Sequence, residues 1–412
     1  MNCGLIGYPL GHSYSPQIHR ALADYDYHLW PMKPEELEAF LTKRGFTGIN
    51  VTIPYKERVI PYLDGLSHTA RAIGAVNTVV KRDGRLYGDN TDLAGMLALI
   101  RRLGLTLEGK KVLILGTGGT SKTARAAAAQ LGAAEVYRVS RSGREDAVTY
   151  QQAAEAHRDA ACIINTTPCG MYPDMDGCPV ELDSFPCLEG VVDVIYNPLR
   201  SELVLSARQR GIPAEGGLYM LAAQAAYASA LFRDCEATAE DIELAYRTVL
   251  RQMENIVLIG MPSSGKTTVG RLLAQRTGKE FVDTDALVEQ AVGMTVPAYF
   301  AAAGESAFRE REQKAVASVA AGGGKVIATG GGAVLRAENL RALRRTGRLV
   351  FLDRSPDKLT ATADRPLSAD PEALCRRYEE RYDLYCAAAD LRVNGDGSPE
   401  ETAERIEREW TI

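Results

Sequence analysis

Residues 255–278 constrain the fold of this 412-residue chain more than any other stretch. An apolar run, NIVLIG (255–260), leads into GMPSSGKTTVG (260–270), and TTVGRLLAQRTG (267–278) follows with helical character. The G-x-x-x-x-G-K-T spacing is that of a loop whose backbone N–H groups surround a phosphate. Such a loop works only between a buried strand and the N-terminus of a helix, so this half of the chain must be α/β. Within it, Gly260 and Gly265 allow the tight path, Lys266 can reach the β- and γ-phosphates, Thr267 can ligate Mg²⁺, and Thr268 continues the turn.

A second glycine-rich turn lies upstream. The strand-like KVLIL (111–115) runs into GTGGTSKTARAAAAQLG (116–132). Gly116, Gly118, Gly119, Thr120 and Ser121 would bring backbone N–H groups to a pyrophosphate at a helix N-terminus. The pattern departs from G-x-G-x-x-G at Ser121, and such a turn alone serves structure as readily as binding. The next strand-like run, EVYRV (135–139), ends in Ser140, Arg141 and Ser142 rather than in the acidic residue that would hold a ribose 2′-hydroxyl. Arg141 could pair with a 2′-phosphate, or simply be a solvated arginine at a strand end; together with the glycine turn it favours NADP over NAD.

Apolar runs recur along the chain with helical patterns between them: 3–8, 48–53, 111–115, 135–139, 161–165, 191–195, 255–260, 325–328 and 348–352. This alternation predicts parallel sheets covered by helices. TAEDIELAYRTVLRQM (238–253) reads as an amphipathic helix capped by Thr238, and NIVLIG follows after Glu254 with no spacer. The net charge of −5 gives no reason to expect a nucleic-acid or anionic membrane partner, and no apolar run approaches the ~20 residues of a membrane span. The first residues lack the features of a signal peptide, so a cytoplasmic location is expected. The eight cysteines include no Cys-x-x-Cys pair and read as reduced thiols. All five histidines lie at or before His157, so any base in the second half must be a carboxylate.

Polar clusters precede the first glycine turn: HSYSP (12–16), NVTIPYK (50–56), GAVNT (74–78) and GDNTD (88–92). Ser15 with Pro16 makes a good helix start, which leaves Ser13 unused. Each cluster alone could be turn chemistry. Together with GTGGTS, NTTPCGMYP (165–173), VIYNPLRSEL (194–203) and GLYMLAAQAA (217–226), they resemble the shikimate dehydrogenase family over residues 2–250. The resemblance implies a substrate domain (1–100 plus 219–253) and a Rossmann-type NADP domain (101–218). It implies that Ser13 and Ser15 hold a substrate carboxylate, and that Asn50, Thr52, Asn77, Tyr196 and Gln224 contact the substrate. Lys56 and Asp92 would be the catalytic pair, with Thr166 and Gly217 near the nicotinamide. An ammonium beside a carboxylate suits ketone reduction, although the residue types leave open which of the two transfers the proton. Arg20, where the family usually has Asn, departs from the pattern.

In the second half, FVDTDALVE (281–289), GESAFREREQ (304–313), ATGGGAVL (328–335), DRPL (364–367) and RYDLY (381–385) follow the phosphate loop. Their kind and order resemble the shikimate kinase family over 255–410, implying a P-loop, nucleoside-monophosphate-kinase-like parallel α/β domain (254–412). By resemblance Asp285 is the base, Asp283 sits by Mg²⁺, Arg309 and Arg381 clamp the substrate carboxylate with Glu312 in support, Gly331 and Gly332 face the ring, and Arg365 stabilises the moving phosphoryl group. Lys358, where an arginine near the adenine is common, and Ser368 depart from the pattern. The two resemblances together imply one chain that uses NADP(H) and then ATP with Mg²⁺, reducing 3-dehydroshikimate to shikimate and phosphorylating the product. Two other readings stay open: a broader quinate/shikimate dehydrogenase, and a phosphate-loop half that senses a nucleotide without turnover. Whether the chain is a monomer or a homodimer is open too.

Overall fold

The computed structural model describes residues 1–11, 13–144, 146–359 and 371–411. The chain divides into two compact units, Met1–Leu250 and Arg251–Ile412.

The first unit holds two six-stranded sheets. One has the order Asp26–Pro31, Asn2–Gly7, Gly48–Val51, Thr78–Arg82, Arg85–Asp89, Gly65–Leu66. The expectation of parallel sheets does not hold for it. Thr78–Arg82 runs antiparallel to both Gly48–Val51 and Arg85–Asp89. The hairpin turns on Asp83 (φ 50°) and Gly84 (φ 74°), two successive left-handed residues of the kind a two-residue hairpin loop demands. Ile6, Ile49, Val51, Val79 and Leu86 from these strands pack with Leu37, Leu41 and Phe46 into one core.

The other sheet is wholly parallel, in the order Ala214–Glu215, Gly190–Asp193, Cys162–Asn165, Lys111–Leu115, Glu135–Ser140, Ala147–Thr149. Reading outward from Lys111–Leu115, this is the doubly wound order of dinucleotide-binding sheets. Helices cover both faces, which is why Lys111–Leu115, Cys162–Asn165 and Gly190–Asp193 are buried, mostly apolar runs, while Glu135–Ser140, next to the edge, is only partly buried. Ile100, Ala124 and Ala128 pack on one face, and Leu203, Val204 and Ala207 on the other. The helix Leu218–Arg233 then returns to Ser15–Leu22 and Thr91–Arg102. Gly95 makes the latter approach possible, since a Cβ there would lie 2.7 Å from Met220 O.

Two helix starts repay inspection. Thr238 caps Ala239–Met253 as expected: its Oγ1 accepts from Asp241 N (3.1 Å), and Asp241 Oδ2 accepts from Thr238 N (3.0 Å). At Ser15–Leu22 the expected roles are exchanged. Tyr14 is the cap position without a side-chain bond, and Ser13 Oγ accepts from Ser15 N at 3.2 Å. The helix starts one residue earlier than expected, with Pro16 in its first turn, and the serine that looked unused serves the turn.

The second unit is one five-stranded parallel sheet, ordered Glu280–Asp283, Lys325–Ala328, Asn255–Ile259, Gly347–Asp353, Leu391–Asn394. The central strand is buried along its whole length. Leu273 of Lys266–Thr277 packs with Ile406 and Trp410 of Pro399–Thr411 on one face; Val316, Leu343 and Tyr385 lie on the other. Gly304 (φ 83°, ψ 171°) breaks the long helical segment Val296–Ala320, so Arg309 and Glu312 ride on a fresh helical run. Among the described residues, no helix is long and apolar enough to cross a membrane.

Candidate active sites

In the first unit a cleft of about 380 Å³ gathers residues that are far apart in sequence. Its walls include Ser13, Ser15, Asn50, Thr52, Lys56, Asn77, Asp92, Thr120, Tyr196, Gly217 and Gln224. Local structure explains several of these placements. Thr52 and Lys56 follow the strand Gly48–Val51, where Tyr55 N donates to Thr52 O (2.9 Å) and Val76 N to Lys56 O (2.8 Å). Asp92 sits in the first turn of Thr91–Arg102, whose cap Asn90 accepts from Asp92 N at 3.1 Å. Tyr196 follows the strand Gly190–Asp193, and Gln224 comes from the returning helix, its Nε2 donating to Leu221 O (2.9 Å).

Lys56 Nζ donates to Asp92 Oδ2 at 2.5 Å, with the lysine 33% and the aspartate 18% exposed. Asp92 Oδ1 accepts from Asn77 Nδ2 (2.9 Å), while Asn77 Oδ1 accepts from Thr91 N (2.7 Å). Both carboxylate oxygens are therefore engaged as acceptors, and Lys56 keeps N–H donors for the cleft. Thr78 and Thr91 belong to this network through Asn77 and Asn50; the sequence reading passed over them, although GAVNT and GDNTD contain them.

The dinucleotide turn flanks this cleft. Gly116 has φ 105°, and a Cβ there would lie 2.8 Å from Thr166 Oγ1, which itself donates to Leu115 O (2.6 Å). The two residues meet where Lys111–Leu115 and Cys162–Asn165 adjoin, at the point where the strand order reverses and a ligand crevice forms. Gly118 and Gly119 open the helix Gly119–Gln130 onto free space, and Thr120, one residue on, lines the cleft. Ser121 is buried, its hydroxyl committed to Gly118 O at 2.6 Å. Ser140 Oγ accepts from Gly143 N (3.1 Å), so the turn after Glu135–Ser140 is closed, with Arg141 and Ser142 exposed on it. A residue missed from sequence braces the opposite side: buried Asp193 accepts from Asn165 Nδ2, Ile195 N and Ser201 Oγ (3.0, 3.0 and 2.6 Å), fixing the loop that carries Tyr196. Burial pushes the Asp193 carboxyl up to about 6 against these three bonds.

Behind the substrate side, His19 is buried with Nδ1 2.5 Å from Tyr25 OH, and its ring stacks on Tyr27 at 4.0 Å. Tyr27 in turn donates to Asn50 Oδ1 (2.8 Å). Burial drives the His19 imidazole down to about 3. The folded state thus refuses a proton that the unfolded chain takes up below about 6.5, and stability falls as the pH drops from about 6.5 to 3. The loss amounts to at most roughly 5 kcal/mol. Asp193, raised, gives an opposite and narrower slope. Calorimetry should therefore show a flatter acid limb for the first unit's transition in His19→Phe than in the unsubstituted chain; equal limbs would show that His19 does not carry it.

In the second unit a cleft of about 700 Å³ opens at the carboxyl ends of the strands. It is lined by Gly265, Lys266, Thr267, Thr268, Asp283, Asp285, Arg309, Glu312, Gly331, Gly332 and Arg381. Gly260 lies behind it, its carbonyl accepting from Lys266 Nζ at 2.9 Å; Met261 O accepts from the same ammonium at 2.7 Å. Thr267 Oγ1 donates to Asp283 Oδ2 (2.8 Å), and Asp283 Oδ1 caps Thr284–Val292 by accepting from Asp285 N (3.0 Å). Arg309 Nη1 donates to Glu312 Oε2 at 2.7 Å, deep in the protein. Burial works against the Arg309 charge, but Glu312 and then Glu305 outweigh it and the guanidinium is held above its ordinary value. Arg365 lies outside the described residues, as does Ser368. Sequence reasoning missed Arg377, Glu289, Phe300 and Phe308 on the cleft wall, and Arg354, whose Nη1 would lie 3.7 Å from a Cβ on Gly265. The arginine after the strand Gly347–Asp353 was the available signal.

Comparison with known proteins now carries weight. Residues 5–79 match the model of the shikimate dehydrogenase substrate binding domain, and 262–411 match that of shikimate kinase. A shikimate dehydrogenase (NADP(+)) of Clostridium perfringens is 36% identical over 261 residues, covering 58% of this chain and 96% of that protein. The chain belongs to the shikimate dehydrogenase family and carries a shikimate kinase domain. The dehydrogenase of Geobacillus kaustophilus is 38% identical over 247 residues, 55% of this chain and 90% of that one. Among solved structures, a chorismate mutase/shikimate 5-dehydrogenase fusion from Clostridium acetobutylicum matches at 30% identity and TM-score 0.57, covering 60% of this chain and 96% of that one. A Thermus thermophilus shikimate 5-dehydrogenase, solved in complex with NADP(H) and shikimate, matches at 32% and TM-score 0.54, covering 60% and 98%. The chain is a bifunctional shikimate-pathway enzyme, with the dehydrogenase in its first unit and the kinase in its second.

Proposed function

We propose that the dehydrogenase unit reduces 3-dehydroshikimate to shikimate with NADPH, and that the kinase unit then phosphorylates shikimate to shikimate 3-phosphate with ATP. In this reading residues 1–100 and 219–253 form the substrate domain, 101–218 the nucleotide domain, and 254–412 the kinase domain. The observation that carries the first reaction is the acceptor-only Asp92. With Lys56 on Oδ2 and Asn77 on Oδ1, both carboxylate oxygens are occupied as acceptors and Lys56 Nζ is held at the cleft. Lys56 is then the group that protonates the ketone oxygen, and Asp92 orients it. Ser13, Ser15, Thr52, Asn77, Tyr196 and Gln224 hold the substrate carboxylate and hydroxyls; Asn50 supports them from the wall.

Bound along the turn Gly116–Ser121 and beside Thr166 and Gly217, NADPH supplies the hydride. Ser140, Arg141 and Ser142 would hold its 2′-phosphate. Arg141 is exposed on a closed turn, and the strand ends in Ser140 rather than an acidic residue, the arrangement that favours a phosphate over a bare ribose. Arg141→Asp is expected to narrow the preference for NADP over NAD by about tenfold or more, the worth of a charged hydrogen bond. Steady-state KM values for both cofactors check this, and an unchanged ratio would remove Arg141 from the assignment.

In the kinase unit Gly265, Lys266 and Thr268 cradle the phosphates at the N-terminus of Lys266–Thr277. Thr267 and Asp283 present two hard oxygens 2.8 Å apart, a donor pair that fits Mg²⁺ with its remaining positions left to water and phosphate. The ion would neutralise charge on the transferring phosphoryl group. Asp285 takes the proton from the reacting hydroxyl, Arg309 and Arg381 hold the carboxylate, and Arg365 steadies the phosphoryl oxygens. An assay of the full chain tests the whole reading: NADPH consumption with 3-dehydroshikimate, then shikimate 3-phosphate formation once ATP and Mg²⁺ are added. Failure of either step rejects the assignment of that unit.

A further inference from the structure

The glycine run at 330–332 follows the strand Lys325–Ala328 and is free to adopt many backbone conformations. In the structure its peptides are held: Gly330 N donates to Thr284 Oγ1 (3.1 Å), Gly330 O accepts from Ala333 N (3.1 Å) and Gly332 O from Leu335 N (3.0 Å), and the peptide between Gly331 and Gly332 is held from the facing helix. Gly331 O accepts from Tyr385 OH at 2.5 Å and from Arg381 Nη1 at 3.3 Å. Both donors lie on Pro371–Ala388, one turn apart on the same face. Tyr385 is itself immobilised: it is 1% exposed and its ring stacks on Phe351 at 5.1 Å and 19°.

A trans peptide points its C=O and N–H in opposite directions. Holding Gly331 O towards the helix therefore turns the Gly332 N–H away from it. Among the described residues that N–H has no hydrogen-bond partner. Gly332 lines the cleft, and the Arg309 guanidinium lies so close over it that a Cβ would come within 2.1 Å of Nη1. An amide donor and a guanidinium thus lie side by side on the cleft wall.

We propose that Tyr385 is a positioning residue for the kinase substrate: its hydroxyl locks the Gly331–Gly332 peptide so that the Gly332 N–H stands beside Arg309 as a ready-made donor to an anionic or hydroxyl oxygen of the substrate. This rests on the kinase reading given above. Arg381 cannot do the task alone, because its longer contact competes with its own role in the cleft. Burial pushes the tyrosine hydroxyl up to about 12, so it remains a donor across the working pH range.

The test uses the full chain. Tyr385→Phe keeps the ring and its stack on Phe351 and removes only the donor. It should raise KM for shikimate about 3–10-fold, the worth of one hydrogen bond, with little change in KM for ATP or in dehydrogenase turnover. Amide hydrogen exchange across residues 330–333, measured without substrate, should speed up in the same variant. Phe351→Leu is the packing control; it should lower the melting temperature of the kinase unit yet leave KM for shikimate and the exchange at 330–333 unchanged. A KM within twofold of the unsubstituted chain together with unaltered exchange in Tyr385→Phe overturns the proposal, as does an equal rise in KM from Phe351→Leu. If the unsubstituted chain does not phosphorylate shikimate, the kinase reading fails by itself, and the exchange measurement still decides whether Tyr385 locks the peptide.

Discussion

Lys56→Ala should lower the turnover of 3-dehydroshikimate reduction by about 10²–10⁴-fold, the range over which a positioned proton donor acts. Shikimate phosphorylation by the same molecule should stay near its unsubstituted rate. The size follows from the geometry: Lys56 is the one cation bonded to Asp92, at 2.5 Å, among the described residues that line this cleft, and Asp92 is saturated as an acceptor by Lys56 and Asn77. Removing the ammonium leaves a carboxylate facing the developing alkoxide, so the variant loses the proton donor and gains a repulsive charge. KM for NADPH should move little, because the dinucleotide turn is built from separate backbone. Asp92→Asn should be damaging by a different route, through the orientation of Lys56. A fall of less than about threefold in Lys56→Ala would exclude the lysine from proton transfer.

Asp285→Asn should produce the mirror image. Kinase turnover should fall by about 10²–10⁴-fold while reduction continues. The substitution is nearly isosteric in a crowded place: a Cβ on Gly330 would lie 2.6 Å from Asp285 Oδ1 and 2.7 Å from Glu312 Oε1, so the cleft wall tolerates no larger group. An amide keeps the shape but cannot take up a proton. The second unit has no histidine, and the other carboxylates on the wall are engaged, Asp283 with Thr267, Glu289 with Val296 N and Glu312 with Arg309. KM for ATP should be close to normal, since Lys266 and Thr267 are untouched. Quenched-flow or coupled assays of shikimate 3-phosphate give the number directly, and turnover within tenfold of the unsubstituted chain would mean that the base lies elsewhere.

The candidate sites were legible because both are assembled from short local motifs. GKT, FVDTD and GGG end or follow strands of one parallel sheet, and parallel topology alone brings strand ends to one rim. The first unit is harder to read, since Lys56, Asn77 and Asp92 come from three separate turns and Gln224 from a helix more than a hundred residues later. The motifs named these residues; nothing in their spacing states that Asn77 and Lys56 share the two oxygens of Asp92.

By itself, the sequence determined most of the inner strands, though not Thr78–Arg82 and Arg85–Asp89 of the first sheet. KVLIL, ACIIN, VVDVI, NIVLIG, KVIA and RLVFL are apolar but for one residue each because helices cover both faces of their sheets. It also determined the caps and glycine turns, which act within a few residues. All six edge strands escaped it: Asp26–Pro31, Gly65–Leu66, Ala147–Thr149, Ala214–Glu215, Glu280–Asp283 and Leu391–Asn394. An edge strand is short, partly wet and polar, so it owes its conformation to the neighbour that pairs with it and leaves little periodic trace. The tertiary structure alone decided those pairings. It also set the antiparallel hairpin at Asp83–Gly84, the burial that keeps His19 neutral and strains Asp193, and the two bonds that pin Gly331 O. Each of these depends on groups brought together across long stretches of chain, where packing and desolvation, rather than local preference, set the energy.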